Sequence, residues 1–222
     1  MREIIEVFEK AATSYDEWYR SPIGSYAFRS ELKGLEALLP PLGVGIDVGA
    51  GTGIFAKHLS TGGRCVVCLD PSPGMLKEAE KRHLSAIIAA AEVSPIRHGS
   101  LDFAYMVTVI EFLADPIQAL RSVGAVLKEE ATLVILTINR ESSWGEHYSK
   151  LAEKGDPIFS RANLYELGDV CSFLDKAGFE LEKSVGTLTA SPNEPEGEYE
   201  LVPVSPGVGV ILIKAKKLAS SI

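Results

Sequence analysis

From Val44 onward, apolar runs of strand length alternate with stretches whose apolar positions recur every three or four residues. The runs are VGIDVG (44–49), RCVVCLD (64–70), SAIIAAA (85–91), LDFAYMVTVI (101–110) and ATLVILTIN (131–139). Continuous runs, rather than in–out alternation, predict strands covered on both faces, as in a parallel sheet. Between them, Ile54, Phe55 and Leu59 mark one helix, and Met75, Leu76 and Ala79 a second. Ile117, Leu120, Val123 and Leu127 mark a third, opened by Asp115 as N-cap with Pro116 at the first helical position. Leu164, Leu167, Cys171 and Leu174 mark a fourth, stopped near Gly178, a residue suited to the left-handed conformation past a helix end. Two further strand candidates, 179–190 and 207–217, close the chain with no long helix between them, which predicts an antiparallel hairpin at one edge. Alternating β and α elements predict an α/β fold with a doubly wound, mostly parallel sheet and helices on both faces.

Ahead of the sheet, Ile4, Ile5, Phe8, Ala12, Tyr15 and Trp18–Tyr19 fall at helical spacing, and this stripe is core-facing first and a cover second. A second amphipathic stretch carries Leu32, Leu35, Leu38 and Leu39 and ends at Pro40–Pro41. These helices read as additions to one domain over 1–222, divided into an N-terminal helical lid (1–40) and a core (41–222). The Pro- and Glu-rich segment 191–200 reads as a solvated loop inside the terminal hairpin. A chain of 222 residues buries about 70% of its unfolded surface and needs no disulfide staples. Three cysteines without framework spacing point to a reducing cytoplasm. Lys+Arg number 22 against 30 Asp+Glu, a net charge of −8, which argues against a nucleic-acid partner. No apolar run reaches membrane-spanning length, and residues 1–10 lack a continuous apolar signal core, so a soluble cytoplasmic protein without a membrane partner is expected. Cys65 and Cys68 spell CxxC, but positions three apart on a strand point to opposite faces; buried core thiols and no metal site are expected.

The most informative segment is IDVGAGTGIF (46–55), a strand running into a turn with glycines at 49, 51 and 53 and then directly into a helix. A bare strand–helix connection needs one glycine; three let the backbone approach a ligand closely. The following helix presents unpaired N–H groups and a partial positive charge, which favours an anionic or carboxylate-bearing group. The dinucleotide fingerprint G-x-G-x-x-G puts its third glycine where this chain has Ile54, and Asp47 beside the turn repels a pyrophosphate while welcoming an ammonium. The next strand ends in Asp70, about twenty residues beyond Gly49, placed to accept hydrogen bonds from ribose hydroxyls. A ribose, an anionic end and a cationic amine describe a nucleoside linked to an amino acid.

In this order the residues resemble the class I S-adenosylmethionine (SAM)-dependent methyltransferases, nearest the ubiquinone/menaquinone-type small-molecule branch. DVGAGTG is similar to the family's first motif, LDPSPGML (69–76) to its second, AEVSPIRHGSLDFAYMVTVIEFLADP (91–116) to its third and fourth, and NLYELGDVCSFLDKAGFE (163–180) to its penultimate helix and strand. FEKAATSYDEWY (8–19) resembles the family's N-terminal lid. The resemblance implies a Rossmann-like, seven-stranded sheet with an antiparallel edge strand, SAM as cofactor and S-adenosylhomocysteine as product. It further implies that Asp47 and the amides of Gly49, Ala50, Gly51, Thr52 and Gly53 hold the methionine part and Asp70 the ribose. Pro71 and Met75 would pack on the adenine, Ala91 and Glu92 border its edge, Val107 flank the sulfonium, and Tyr15 and Trp18 close over the cofactor. Two departures stand out: Ala90 occupies a position that often carries an acid, and Glu111–Phe112 stand where Glu-His is frequent.

Methyl transfer from a sulfonium is an in-line displacement, in which positioning contributes roughly 7–11 kcal/mol and a base matters only if the acceptor must lose a proton. His58, His83 and His98 read as surface or structural residues. His147 follows the fifth strand's C-terminal end, where open α/β sheets place their ligand crevice, and is a candidate for substrate binding or proton transfer. Glu111 and Arg140 share that crevice by the same argument, with a rim ion pair as the plainer alternative. The segment 139–165 and the lid are expected to shape the pocket of a small-molecule methyl acceptor, aromatic or aliphatic in view of Tyr15, Trp18, Tyr19, Trp144 and Tyr148. Two other readings stay open: an NAD(P)-dependent oxidoreductase on a similar sheet, and a non-catalytic SAM-binding regulatory subunit.

Overall fold

The apolar runs form a single sheet whose two faces each bury alternate side chains. The computed structural model describes residues 2–197 and 199–219. Its strands are β1 (Gly43–Val48), β2 (Arg64–Asp70), β3 (Ser85–Ile88), β4 (Leu101–Val107), β5 (Leu127–Ile138), β6 (Phe179–Thr187) and β7 (Val210–Lys217). They lie in the order β3-β2-β1-β4-β5-β7-β6 as a seven-stranded sheet. β1 to β5 are parallel; β7 runs antiparallel to both β5 and β6, so the terminal hairpin sits at one edge with its inner arm reversed.

Helices cover both faces. Phe103 and Tyr105 on β4 and Val134, Leu136 and Ile138 on β5 face a core completed by α3 (Pro22–Leu38), α4 (Ile54–Leu59), α5 (Pro73–Lys81) and α7 (Ser143–Glu153). Ala104 and Met106, with Leu133 and Ile135, face the opposite core under α6 (Pro116–Val126) and α8 (Leu167–Lys176). The alternation follows from the two-residue period of a strand. Asp115 caps α6 by accepting from the Gln118 N–H at 2.9 Å, and Gly178 past α8 has φ +85°.

Several elements differ in extent from the apolar runs. β3 ends at Ile88, and Ala89–Ala91 continue as loop. β5 begins at Leu127 rather than 131, because Leu127 pairs with Leu101 ahead of a register shift, with Glu130 at φ +62° inside the irregular stretch. The hairpin strands are shorter than 179–190 and 207–217, and the loop between them carries no helix or regular strand among its described residues; Glu198 lies outside them. The N-terminal stripe divides into α1 (Arg2–Ala11) and α2 (Glu17–Arg20), and α1 has no buried residue, so it lies on the core rather than in it. Cys68 is buried but Cys65 is exposed, which corrects the expectation that both are core thiols: β2 is covered only from its second residue pair onward.

Candidate functional site

The parallel strands β1, β2 and β4 all end on one rim. Beyond β1, Gly49, Gly51 and Gly53 have φ of +71°, +54° and +72°, a conformation that costs other residues strain. The turn's amides are largely committed to its own shape. Gly49 and Ala50 donate to the Leu69 carbonyl at 2.7 and 3.1 Å, Gly53 donates to the Ala50 carbonyl at 2.9 Å, and Gly51 donates to Asp70 Oδ2 at 2.9 Å. What the glycines supply is clearance. A methyl group on Gly49 would meet Val109 Cγ2 at 2.5 Å, whereas one on Gly51 would enter open space, with Met75 Sδ 3.9 Å away.

Asp70 ends β2 with both carboxylate oxygens engaged: Oδ2 by Gly51 and Oδ1 by the Ser72 N–H at 2.8 Å. Each oxygen keeps lone-pair capacity for a further donor. Burial pushes the Asp70 carboxyl above its ordinary value, against the lowering effect of those two amides. Asp47, on β1 beneath the turn, is 2% exposed and accepts from the Tyr105 hydroxyl at 3.0 Å. Burial first, and then the Asp70 charge, push it up to about 8.

A cavity of about 110 Å³ lies above this rim. Of the residues expected at a cofactor, Tyr15, Gly49, Gly51, Asp70, Pro71, Met75, Ala91, Glu92 and Val107 line it. Asp47, Ala50, Thr52 and Gly53 lie behind the wall, and Trp18 lines a different cavity. Ile4, Ile5 and Phe8 of α1, part of the stripe read as core-facing first and a cover second, also line it. Two carboxylates secure this N-terminal cover. Glu9 Oε2 accepts from the Ser72 hydroxyl and from the Gly74 N–H at 2.8 Å, at the first turn of α5. These bonds hold the Glu9 carboxyl below its ordinary value. Asp16 accepts from the Thr52 hydroxyl at 2.6 Å and pairs with Arg82.

A second cavity, of about 320 Å³, adjoins the first and shares Phe8, Tyr15, Thr108 and Phe112 with it. Thr108 follows β4 with φ +49°, an uncommon conformation for a non-glycine residue, and functional sites hold such residues disproportionately. Trp18, Tyr19, Trp144, Tyr148 and Phe159 supply most of the aromatic wall. The indole N–H of Trp144 donates to the Ala190 carbonyl at 2.8 Å, and Tyr148 stacks on Phe159 at 4.2 Å between ring centroids. His147 lines this cavity; burial, then Lys154 and Lys150, lower its pKa, so the imidazole is neutral at pH 7. Glu31 of α3, not singled out by any motif, also lines it; burial and the Glu111 charge push it up to about 8.

Two expectations for this crevice are corrected. Glu111 does not line either cavity: it is fully buried, its Oε1 accepting from the Thr137 hydroxyl and the Ile138 N–H, each at 2.8 Å. Arg140 is exposed and pairs with Glu166, outside both cavities. The chain turns at Asn139 to start α7, which carries Arg140 away from the rim. His58, His83 and His98 are exposed. No helix among the described residues is long and apolar enough to cross a membrane.

Residues 46–135 match the family described as "Methyltransferase domain". A solved structure from Thermotoga maritima, described as a SAM-dependent methyltransferase and possible histamine N-methyltransferase, is 31% identical and superposes with a TM-score of 0.87 over 96% of this chain and 99% of that one. An uncharacterized protein of Methanocaldococcus jannaschii is 32% identical over 83% of this chain and 86% of its own length. A ubiquinone biosynthesis O-methyltransferase of Xanthomonas campestris is 22% identical over 64% of this chain and 65% of its own.

Proposed function

The chain belongs to the SAM-dependent methyltransferases, and from that premise we propose that it transfers a methyl group to a small-molecule acceptor seated in the second cavity, by in-line displacement. The observation that carries this reading is the junction of the two cavities at Phe8, Tyr15, Thr108 and Phe112. One side offers a ribose-type carboxylate and a glycine cradle, and the other an aromatic chamber. When bound, SAM supplies an electrophilic methyl on a sulfonium whose departure leaves a neutral thioether. Everything else falls to the protein's own groups.

Asp70 fits a ribose: it is fixed by two backbone amides and keeps acceptor capacity on each oxygen. Pro71 and Met75 then flank the adenine, and Ala91 with Glu92 border its edge, since Ala90 offers no carboxylate. Val107 sits beside the sulfonium and Tyr15 closes the junction. Asp47 acts from beneath the turn, its charge favoured by an ammonium nearby, and Ala50, Thr52 and Gly53 shape the turn. Trp18 is assigned to the acceptor side, because it lines the second cavity. The protein aligns acceptor nitrogen, oxygen, sulfur or carbon with the methyl and excludes water, a contribution of roughly 7–11 kcal/mol.

The relatives offer two acceptor chemistries, a nitrogen of histamine in the Thermotoga description and an oxygen in the ubiquinone-biosynthesis enzymes. The ubiquinone-type branch is supported by motif order and by this remote identity. The net charge of −8 favours a small molecule over a nucleic acid. Residues 1–40 as lid, 41–222 as core and 139–165 as acceptor-side insert follow from the same assignment, and the cysteine usage supports a cytoplasmic setting. The test is calorimetry with SAM and S-adenosylhomocysteine. Both are expected to bind the native chain and to lose affinity in Asp70→Ala, while NADH does not bind. Binding of NADH with no response to SAM would overturn the reading.

A further inference from the structure

We propose that the second cavity takes a small arylalkylamine, its ammonium group held by the Glu31 carboxylate inside the aromatic wall. The inference rests on the methyl-transfer reading and names the acceptor class.

The cavity contains a carboxyl without a protein partner. Glu31 is 6% exposed, it lines the cavity, and no hydrogen-bond donor among the described residues reaches its carboxylate. A carboxyl that no protein donor reaches is satisfied by what fills the cavity, and an ammonium does this with charge as well as hydrogen bonds. The other acid there is already used: Asp156 Oδ1 accepts from the Ile158 and Phe159 amides, both at 2.9 Å, and so fixes its own loop. No lysine or arginine lines the cavity among the described residues, so an anionic acceptor would meet Glu31 and Asp156 uncompensated. A cation is favoured twice, by the carboxylate and by the faces of Tyr15, Tyr19, Trp144 and Tyr148. A volume of about 320 Å³ suits one aromatic ring with a short amine-bearing arm.

The same pairing prepares the nitrogen. An ammonium has no lone pair, so one proton must leave before attack. In the empty cavity burial and Glu111 keep Glu31 largely protonated at pH 7; the arriving ammonium favours its carboxylate, which stays basic enough to take that proton back. The nitrogen lone pair then forms the N–C bond as the C–S bond breaks, with its electron pair going to sulfur. The products are an N-methylated ammonium, S-adenosylhomocysteine and protonated Glu31, and the total charge is unchanged. His147 lines the same cavity with its pKa lowered by burial and by Lys154 and Lys150.

The experiment uses the full chain saturated with S-adenosylhomocysteine and titrated with 2-phenylethylamine, histamine and the neutral 2-phenylethanol. At least one amine is expected to bind tenfold or more tightly than the alcohol, and to gain one methyl group by mass spectrometry when SAM replaces its product. Glu31→Gln is expected to lower amine affinity tenfold or more with S-adenosylhomocysteine affinity within twofold, which also certifies the fold; Glu31→Asp restores part of the loss. The amine assignment is overturned if the alcohol binds as well as the amines, if Glu31→Gln leaves amine affinity unchanged, or if neither amine binds to protein that binds S-adenosylhomocysteine. If the protein binds neither SAM nor its product, the methyl-transfer reading fails first, and the amine assignment falls with it.

Discussion

The two adjoining cavities are built on different principles. The one above Gly49–Gly53 is assembled from contiguous strand ends and held by backbone: Asp70 is fixed by the Gly51 and Ser72 amides, and the turn's own amides lock its shape. The other is assembled from side chains that arrive on α1, α2, α3, α7 and the 159–161 turn, held by packing and by single bonds such as that from Trp144 to Ala190. Backbone-built sites tolerate little sequence change at their glycines and acids. Side-chain-built sites can be re-lined residue by residue, which is how one fold serves many acceptors.

The largest effect is expected where side-chain packing carries most of the structure. Trp144 is 1% exposed and lies against Gly209, whose added Cβ would meet the indole at 2.3 Å. Trp144→Ala should cost about 3–5 kcal/mol of stability, read by denaturant unfolding. SAM affinity in the folded fraction should stay within a few-fold. Equal damage to SAM binding would show that the two cavities are one cooperative unit and sink the contrast.

Next comes the backbone-held acid. Asp70→Ala removes the acceptor for both the Gly51 and Ser72 amides along with the proposed ribose contact. Charge-assisted bonds of this kind are worth about 1.5–3 kcal/mol, so SAM affinity should fall by roughly 10–150-fold by calorimetry. Amine binding in the second cavity should be less affected. A loss under threefold would place the ribose elsewhere.

Much of this contrast was legible in the chain itself, and unevenly so. DVGAGTG and Asp70 lie within about twenty-five residues, and their chemistry follows from local geometry that strand ends impose. The acceptor wall was not legible in the same way, because Glu31, Trp144, His147 and Phe159 become neighbours only through tertiary packing. Around Glu31 the visible signal is the apolar stripe of Leu32, Leu35 and Leu38, which reports a helix and says nothing of the one acid on its cavity side. Arg140 and Glu111 show the converse error. Position at a strand end placed both in the crevice, yet the turn after Asn139 carries Arg140 out to Glu166, and a 3-10 turn folds Glu111 under to Thr137. In the glycine turn, the amides of Gly49, Ala50 and Gly51 are bonded to the protein itself, a commitment that follows from tertiary contacts with Leu69 and Asp70 and not from glycine spacing.

A subtler test lies in pH. The Asp47 carboxyl is raised from 3.8 to about 8 in the folded chain, so in the ligand-free protein its contribution is fully present below pH 4 and lost as pH rises through 8. Between those values the folded state holds one more proton than the unfolded chain, and stability falls with pH by up to about 1.4 kcal/mol per unit from this group. Asp47→Asn should flatten that slope in unfolding experiments between pH 5 and 8, while weakening SAM binding. Identical slopes in both proteins would mean that Asp47 is ionised at neutral pH.

The smallest effect belongs to the cover over the backbone-built cavity. Glu9 is exposed, yet it bonds both the Ser72 hydroxyl and the Gly74 N–H at the start of α5. An exposed carboxylate at a helix N-terminus contributes below about 1 kcal/mol, reduced further by salt. Glu9→Gln should therefore leave global unfolding almost unchanged. Its effect should appear instead as faster amide exchange in α1, which has no buried residue to hold it down. Because the Glu9 pKa is lowered, the native latch is complete above the ordinary carboxyl value of 4.5 and opens only as pH falls below it. If exchange in α1 is the same in both proteins at pH 7, packing of Ile4, Ile5 and Phe8 over the cavity holds the cover closed, and both cavities then depend on side-chain packing at their shared wall.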